Sequence, residues 1–246
     1  MVETMEMSEI SKILVTTLAM RSEPIAISFH NEIPLDVQPF AKNMPAPTSD
    51  GRTGRVAAGC VFWMEAAQHS FSTVKQDHAN CSVGSFTHGF LGLDAAAQHS
   101  DVETLLEAGW VTEADFGSIE HVSEEPASIT YSPLPLATNV PNVVLLRLDA
   151  MSAMLFRDTF PDARIEGKPQ CHIVAIAKET EQIALSFGCM LSRTRTKMPS
   201  SEMTAAIPGS RLLEAVERLS KNAEIDRGVA AYASQDSRRF SASSTV

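Results

Sequence analysis

The sequence predicts an α+β fold, a single globular domain with a mixed sheet and flanking helices. Three observations predict it. Apolar runs of strand length are interspersed with segments of helical periodicity, with no regular strand–helix alternation. The 246 residues are 44% hydrophobic, enough to bury a sizeable core. No long internal repeat is present: the intervals Cys60–Cys81 and Cys171–Cys189 are similar in span, but their flanking residues do not match.

In chain order, residues 8–20 (SEISKILVTTLAM) read as an amphipathic helix with Ser8 as its cap. Pro24 to Phe29 reads as a short strand. Residues 31–55 are rich in Pro, Asn, Asp and Gly and read as a loop. Residues 57–70 form a short apolar helix. The stretch from 71 to 94 is irregular, with two His and one Cys among Gly and Ser. A helix follows at about 101–109. Ser128–Tyr131 and Asn142–Leu148 are strands, separated by a Pro-rich connection, and residues 149–157 form a helix capped by Asp149. Cys171–Ala177 is apolar without clear alternation, so strand and buried helix both fit it. Ile183–Phe187 reads as a buried strand. Residues 210–222 are the clearest helix, with Leu212, Leu213, Val216 and Leu219 on one face. The domain is expected over residues 1–225, and the Ser-rich residues 226–246 as a disordered tail.

Composition narrows the function. The net charge is −10, with 30 acidic against 20 basic residues. Such a chain repels phosphate backbones, which argues against a nucleic-acid surface. There is no polybasic stretch for an anionic membrane. The longest apolar runs, such as Val143–Leu146, are far short of the roughly 20 residues of a spanning helix. The N-terminus lacks an export pattern, so a cytoplasmic protein with reduced thiols is expected. The 11 Met residues suit either core packing or an adaptable apolar pocket.

The cysteines are Cys60, Cys81, Cys171 and Cys189. None forms a CxxC pair, which disfavours a zinc finger or ribbon. Four separated thiolates gathered by the fold can still hold an iron–sulfur cluster. Gly59, Gly84 and Gly188 stand close to them, and glycine lets backbone approach a bulky group. The alternative is four buried packing residues. The segment Asp77–His88 concentrates His78, Cys81 and His88 around a glycine. A neutral imidazole binds iron, and a single His holds haem from its proximal side. Phe62, Trp63, Phe71, Phe86, Phe90 and Leu91 would suit a porphyrin face. His30, His69, His99, His121 and His172 lie in weaker contexts. Arg193 and Arg195 follow the Gly188–Cys189 turn and could pair with a carboxylate or haem propionate. The sequence has no GxGxxG, phosphate loop, GxSxG or HExxH pattern.

Several segments together resemble the family of unknown-function domains numbered 169. They are Ala57–Trp63, Asp77–Gly84, Pro141–Leu145, Lys168–Cys171 and Leu185–Cys189, followed by Ile207-Pro208-Gly209. In order and spacing they cover roughly residues 10–222. The family pattern has cysteines where this chain has its four, which implies a shared role. The resemblance also extends to the haem-containing trans-anethole oxygenases, and would make His88, or alternatively His78, the axial ligand. One departure stands out: Leu191-Ser192-Arg193 occupies the position of the family's Gly-Asn-Arg.

Three functions follow as expectations. The first is a haem b-dependent oxygenase using dioxygen on a small apolar, aryl-alkene substrate. The second is a four-Cys iron–sulfur redox or sensor protein. The third is a non-enzymatic small-molecule-binding domain. The oligomeric state is left open, with a homo-oligomer compatible with each.

Overall fold

The computed structural model describes residues 5–243. Its centre is a mixed sheet of β1 (Ile25–His30), β2 (Phe71–Thr73), β3 (Ser128–Pro133), β4 (Val143–Leu148), β5 (Arg164–Glu166), β6 (Ala184–Ser186) and β7 (Met203–Pro208). The spatial order is β2-β3-β1-β4-β7-β6-β5. β5 and β6 pair in parallel, and the other neighbours are antiparallel.

Strand alternation divides the apolar residues between two cores. Ile25, Ile27, Val143 and Leu145 enter one, while Ala26, Val144 and Leu146 enter the other. The helices are α1 (Met7–Thr17), α2 (Cys60–Glu65), α3 (Ser82–Thr87), α4 (Leu93–Ala97), α5 (Ser100–Glu107), α6 (Glu113–Gly117), α7 (Ala150–Thr159), α8 (His172–Thr180), α9 (Met190–Thr196) and α10 (Leu212–Ser243). Helices α1, α7 and α10 cover the second core. The first lies beneath α2, α3 and α8, with Ala96, Val102 and Phe116 of α4, α5 and α6 closing its outer side. The α+β expectation therefore holds, with helices on both sheet faces.

Local differences from the sequence expectation have physical causes. Helix α1 starts one residue early: Glu9 and Ile10 already donate to the Glu6 carbonyl, so Ser8 sits inside the first turn and is not the cap. Asp149 does cap α7, its carboxylate accepting from Ser152 N at 3.0 Å. The ambiguous stretch after Cys171 is helix, and Ile173 to Ala177 are all buried because α8 is enclosed between the sheet and α3. Strands β2, β5 and β7 and helices α3, α4, α6 and α9 were not anticipated, and the stretch 71–94, read as irregular, holds β2, α3 and the start of α4. β7 reads MTAAIP, with few β-branched residues, and its register comes from pairing with β4 and β6. Residues 226–243 are not an irregular tail; they continue α10, while 244–246 lie outside the described residues. Among the described side chains of α10 the last buried one is Ala223, and beyond it Ile225, Val229 and Tyr232 are exposed. Among the described residues no helix is long and apolar enough to cross a membrane.

Candidate cofactor site

Each cysteine stands at the start of a helix. Cys60 opens α2, and Cys81, Cys171 and Cys189 immediately precede α3, α8 and α9. The four come together around one small pocket with a free volume of about 20 Å³, walled also by Ala58, Val83, Pro169 and Leu191. All four thiols are free. Residues separated by more than a hundred positions in sequence are thus gathered where four helix starts meet, and the backbone N–H groups of a helix's first turn lack intrahelical partners. One such group, Ser192 N, approaches Cys189 Sγ at 3.4 Å.

Two scaffolds fix this arrangement. On one side Asn80 is bound to the loop before α2: its Oδ1 accepts from Gly54 N at 2.7 Å, and its Nδ2 donates to the Gly54 and Val56 carbonyls at 2.9 and 3.1 Å. Arg52 Nη1 donates to the Asn80 carbonyl at 2.7 Å and pairs with Asp101 Oδ2 at 2.9 Å, which also accepts from Ser82 N. Cys81 is held between these contacts. Gly84 leaves room for it, since a Cβ there would meet Cys81 Sγ at 3.3 Å. On the other side Gly188 turns the chain with φ of 88°, a conformation that favours glycine. Arg193 braces that turn, donating to the carbonyls of Phe187 (2.6 Å), Pro199 (2.5 Å) and Glu202 (2.9 Å). The guanidinium of Arg193, expected to reach a cofactor, clamps the loop that carries Cys189.

Burial governs the thiols. It pushes Cys60 up to about 12, with the neighbouring cysteines adding like-charge repulsion. Cys81 and Cys171 are raised by the same cause. Without a compensating cation these groups stay protonated, and a metal that coordinates them drives the protons off. Among the described residues no three His, Cys, Asp or Glu side chains are grouped to hold a metal ion. The four cysteines line one small pocket without converging on a single point.

The histidines sit elsewhere. His78 and His88 lie behind the pocket, 1% and 0% exposed, with ring centroids 5.9 Å apart. His78 Nε2 pairs with Thr73 Oγ1 at 3.0 Å, and His88 Nδ1 with the Gly84 carbonyl at 2.9 Å. His78 Nδ1 and His88 Nε2 have no partner. Burial lowers both rings, His88 to about 4 and His78 well below its ordinary value. His88 also stacks on Phe29, 6.2 Å between centroids. The aromatic residues expected to face a porphyrin pack on one another: Phe62 meets Tyr131 and His78, and Phe86 meets Phe116. His172 lies 3.3 Å from Glu166, His121 stacks on Phe86, and His30 pairs with Thr130. Gln170 escaped sequence reasoning: it is 2% exposed, lines the pocket, and its Oε1 is unpaired. Its signal in the sequence was its place in the Lys168–Cys171 segment that carries the family resemblance, next to Cys171.

Residues 13–218 match the model of the family DUF169, described as uncharacterised ArCR. The chain belongs to this family. No curated protein and no solved structure matches it significantly. DUF169 membership supports the resemblance drawn from the cysteine-bearing segments and adds no activity. The likeness to haem oxygenases gains no support from these comparisons.

Proposed function

We propose that this DUF169 protein uses Cys60, Cys81, Cys171 and Cys189 to hold an iron–sulfur cluster, and that it serves in electron transfer or redox sensing. One observation carries this reading: four free thiols, scattered in sequence, line a single pocket. A polynuclear cluster takes ligands spread around its own bulk, whereas a single ion needs them drawn to one point. The glycines beside the cysteines and the Ser192 N–H donated towards Cys189 Sγ suit thiolate ligands that need close backbone approach and hydrogen-bond donors.

When bound, such a cluster supplies a one-electron couple. The chain's own residues do the rest. The four thiolates ligate; Ala58, Val83 and Leu191 keep water from the iron; Arg193 and Asn80 hold the two loops that carry Cys189 and Cys81.

Haem fits these residues poorly. His88, its expected axial ligand, is closed in by Phe29 and His78, so a macrocycle at Nε2 would displace packed core side chains. The oxygenase on aryl alkenes rests on the resemblance alone.

The test is anaerobic reconstitution of the purified protein with ferrous iron and sulfide, followed by absorbance, iron and acid-labile sulfide assays. A broad brown absorbance with stoichiometric iron and sulfide, lost in each single Cys→Ser variant, is expected. A chromophore that survives all four substitutions, or a wild-type protein that stays colourless, removes the cluster. A sharp Soret band without sulfide, abolished by His88→Ala, would put haem in its place.

A further inference from the structure

The two arginines of α9 differ in what engages them. Arg193 is bound to three carbonyls. Arg195 stands four residues after Leu191 and three after Ser192, both of which line the four-thiol pocket, and that spacing places it on the same helical face. Its Nη1 is buried and has no hydrogen-bond partner. Asp101, a carboxylate beside Cys81, has its Oδ2 held by Arg52 and the Ser82 amide, and its Oδ1, buried and without a hydrogen-bond partner, does not pair with Arg195. The positive charge of Arg195 acts on the Cys81 thiol in the direction of the thiolate. Leaving a buried N–H of a charged group unpaired is unfavourable, and among the described residues no carboxylate forms a salt bridge with Arg195.

We propose that Arg195 is the counter-charge of the four-cysteine centre, compensating its thiolates and raising its reduction potential. This rests on the iron–sulfur reading. A cluster held by four thiolates carries net negative charge, and accepting an electron adds another. A fixed guanidinium alongside stabilises the reduced form more than the oxidised one, since net charge and nearby hydrogen bonds set cluster potentials. Arg195 is a positioning residue, acting on the centre's charge without supplying a ligand.

The experiment is a potentiometric titration with dithionite of reconstituted wild type, Arg195→Gln, Arg195→Lys and the surface control Arg227→Gln, together with iron extraction by a chelator. Arg195→Gln is expected to shift the potential to more negative values and to weaken cluster retention by about 10- to 100-fold. Arg195→Lys should keep the wild-type potential, as should Arg227→Gln. Equal potentials for Arg195→Gln and Arg227→Gln overturn the assignment. If Arg195→Gln holds no cluster, Arg195→Lys decides: recovery of the cluster at wild-type potential supports the counter-charge, and no recovery overturns it. A wild-type protein that takes up no cluster fails the underlying reading instead, and is distinguishable because no variant is needed to see it.

Discussion

Asn80 clasps Gly54: one amide side chain accepts from the Gly54 N–H at 2.7 Å and donates to the Gly54 carbonyl at 2.9 Å. A side chain one residue before Cys81 thereby fixes the loop that leads into Cys60. A Cβ on Gly54 would meet the Asn80 backbone nitrogen at 2.7 Å, so the two residues are matched in size as well as polarity. Asn80→Ala leaves the Gly54 peptide without its partners and is expected to cost about 2 kcal/mol. Urea denaturation measures the loss. In the cofactor-free protein Cys81 should also react faster with a maleimide, and unchanged reactivity would mean the clasp does not hold the thiol in place.

Arg193 holds the second loop by three carbonyls, and Arg193→Ala should release it. A destabilisation of about 2 kcal/mol is expected, with faster alkylation of Cys189 and little change at Cys60. Mass spectrometry of the labelled cysteines separates these sites. Uniform acceleration at all four would show general unfolding instead of local release.

Stability should fall with acid through His88. Burial lowers its folded-state value to about 4 from an ordinary 6.5. Above pH 6.5 the ring is neutral in both folded and unfolded chains, and contributes nothing. As pH drops from there towards about 4, the unfolded chain binds a proton that the folded one refuses, so stability declines. The accumulated loss is about 3 kcal/mol, and it levels off below the folded value. His78 is lowered in the same direction by burial and by the charge of His88. Urea unfolding of the cofactor-free protein across this range should show a shallower pH slope for His88→Gln than for wild type. Parallel slopes would refute the assignment.

The outer half of α10 contributes little to the fold. Ala223 is the last buried residue among its described side chains, and Ile225, Val229 and Tyr232 are more than half exposed. Truncation after Glu224 should change stability by less than about 1 kcal/mol while reducing helical circular dichroism. A large loss of stability would show that the exposed helix is braced in solution.

Much of the fold was legible. Ile10, Leu14 and Leu18 recur at helical spacing because burial on one face imposes a period, and β1 and β4 stand out as short continuous apolar runs because both of their faces enter a core. Elements lacking such a period were missed. α9 reads MLSRTRT and has only Ser192 buried, so no apolar stripe marks it. β5 is three residues at the sheet edge, with Arg164 and Glu166 paired to each other. The helical outer part of α10 was obscured by its serines, which lower helix propensity without forbidding a helix that extends from a packed one.

The sequence by itself determined the fold class, the family, the acidic surface and the four cysteines as candidates. Hydrophobic periodicity, composition and local motifs are properties of neighbouring residues, and these features need nothing more. Only the tertiary structure decided that Cys60, Cys81, Cys171 and Cys189 share one pocket while His78 and His88 lie packed behind it. It also decided that Arg193 is a clamp and that Arg195 is left with a buried, unpaired nitrogen. The reason is the same in each case. Whether a thiol, an imidazole or a guanidinium has a partner depends on which distant strands and turns the sheet order brings beside it, and that proximity is not written in the spacing along the chain.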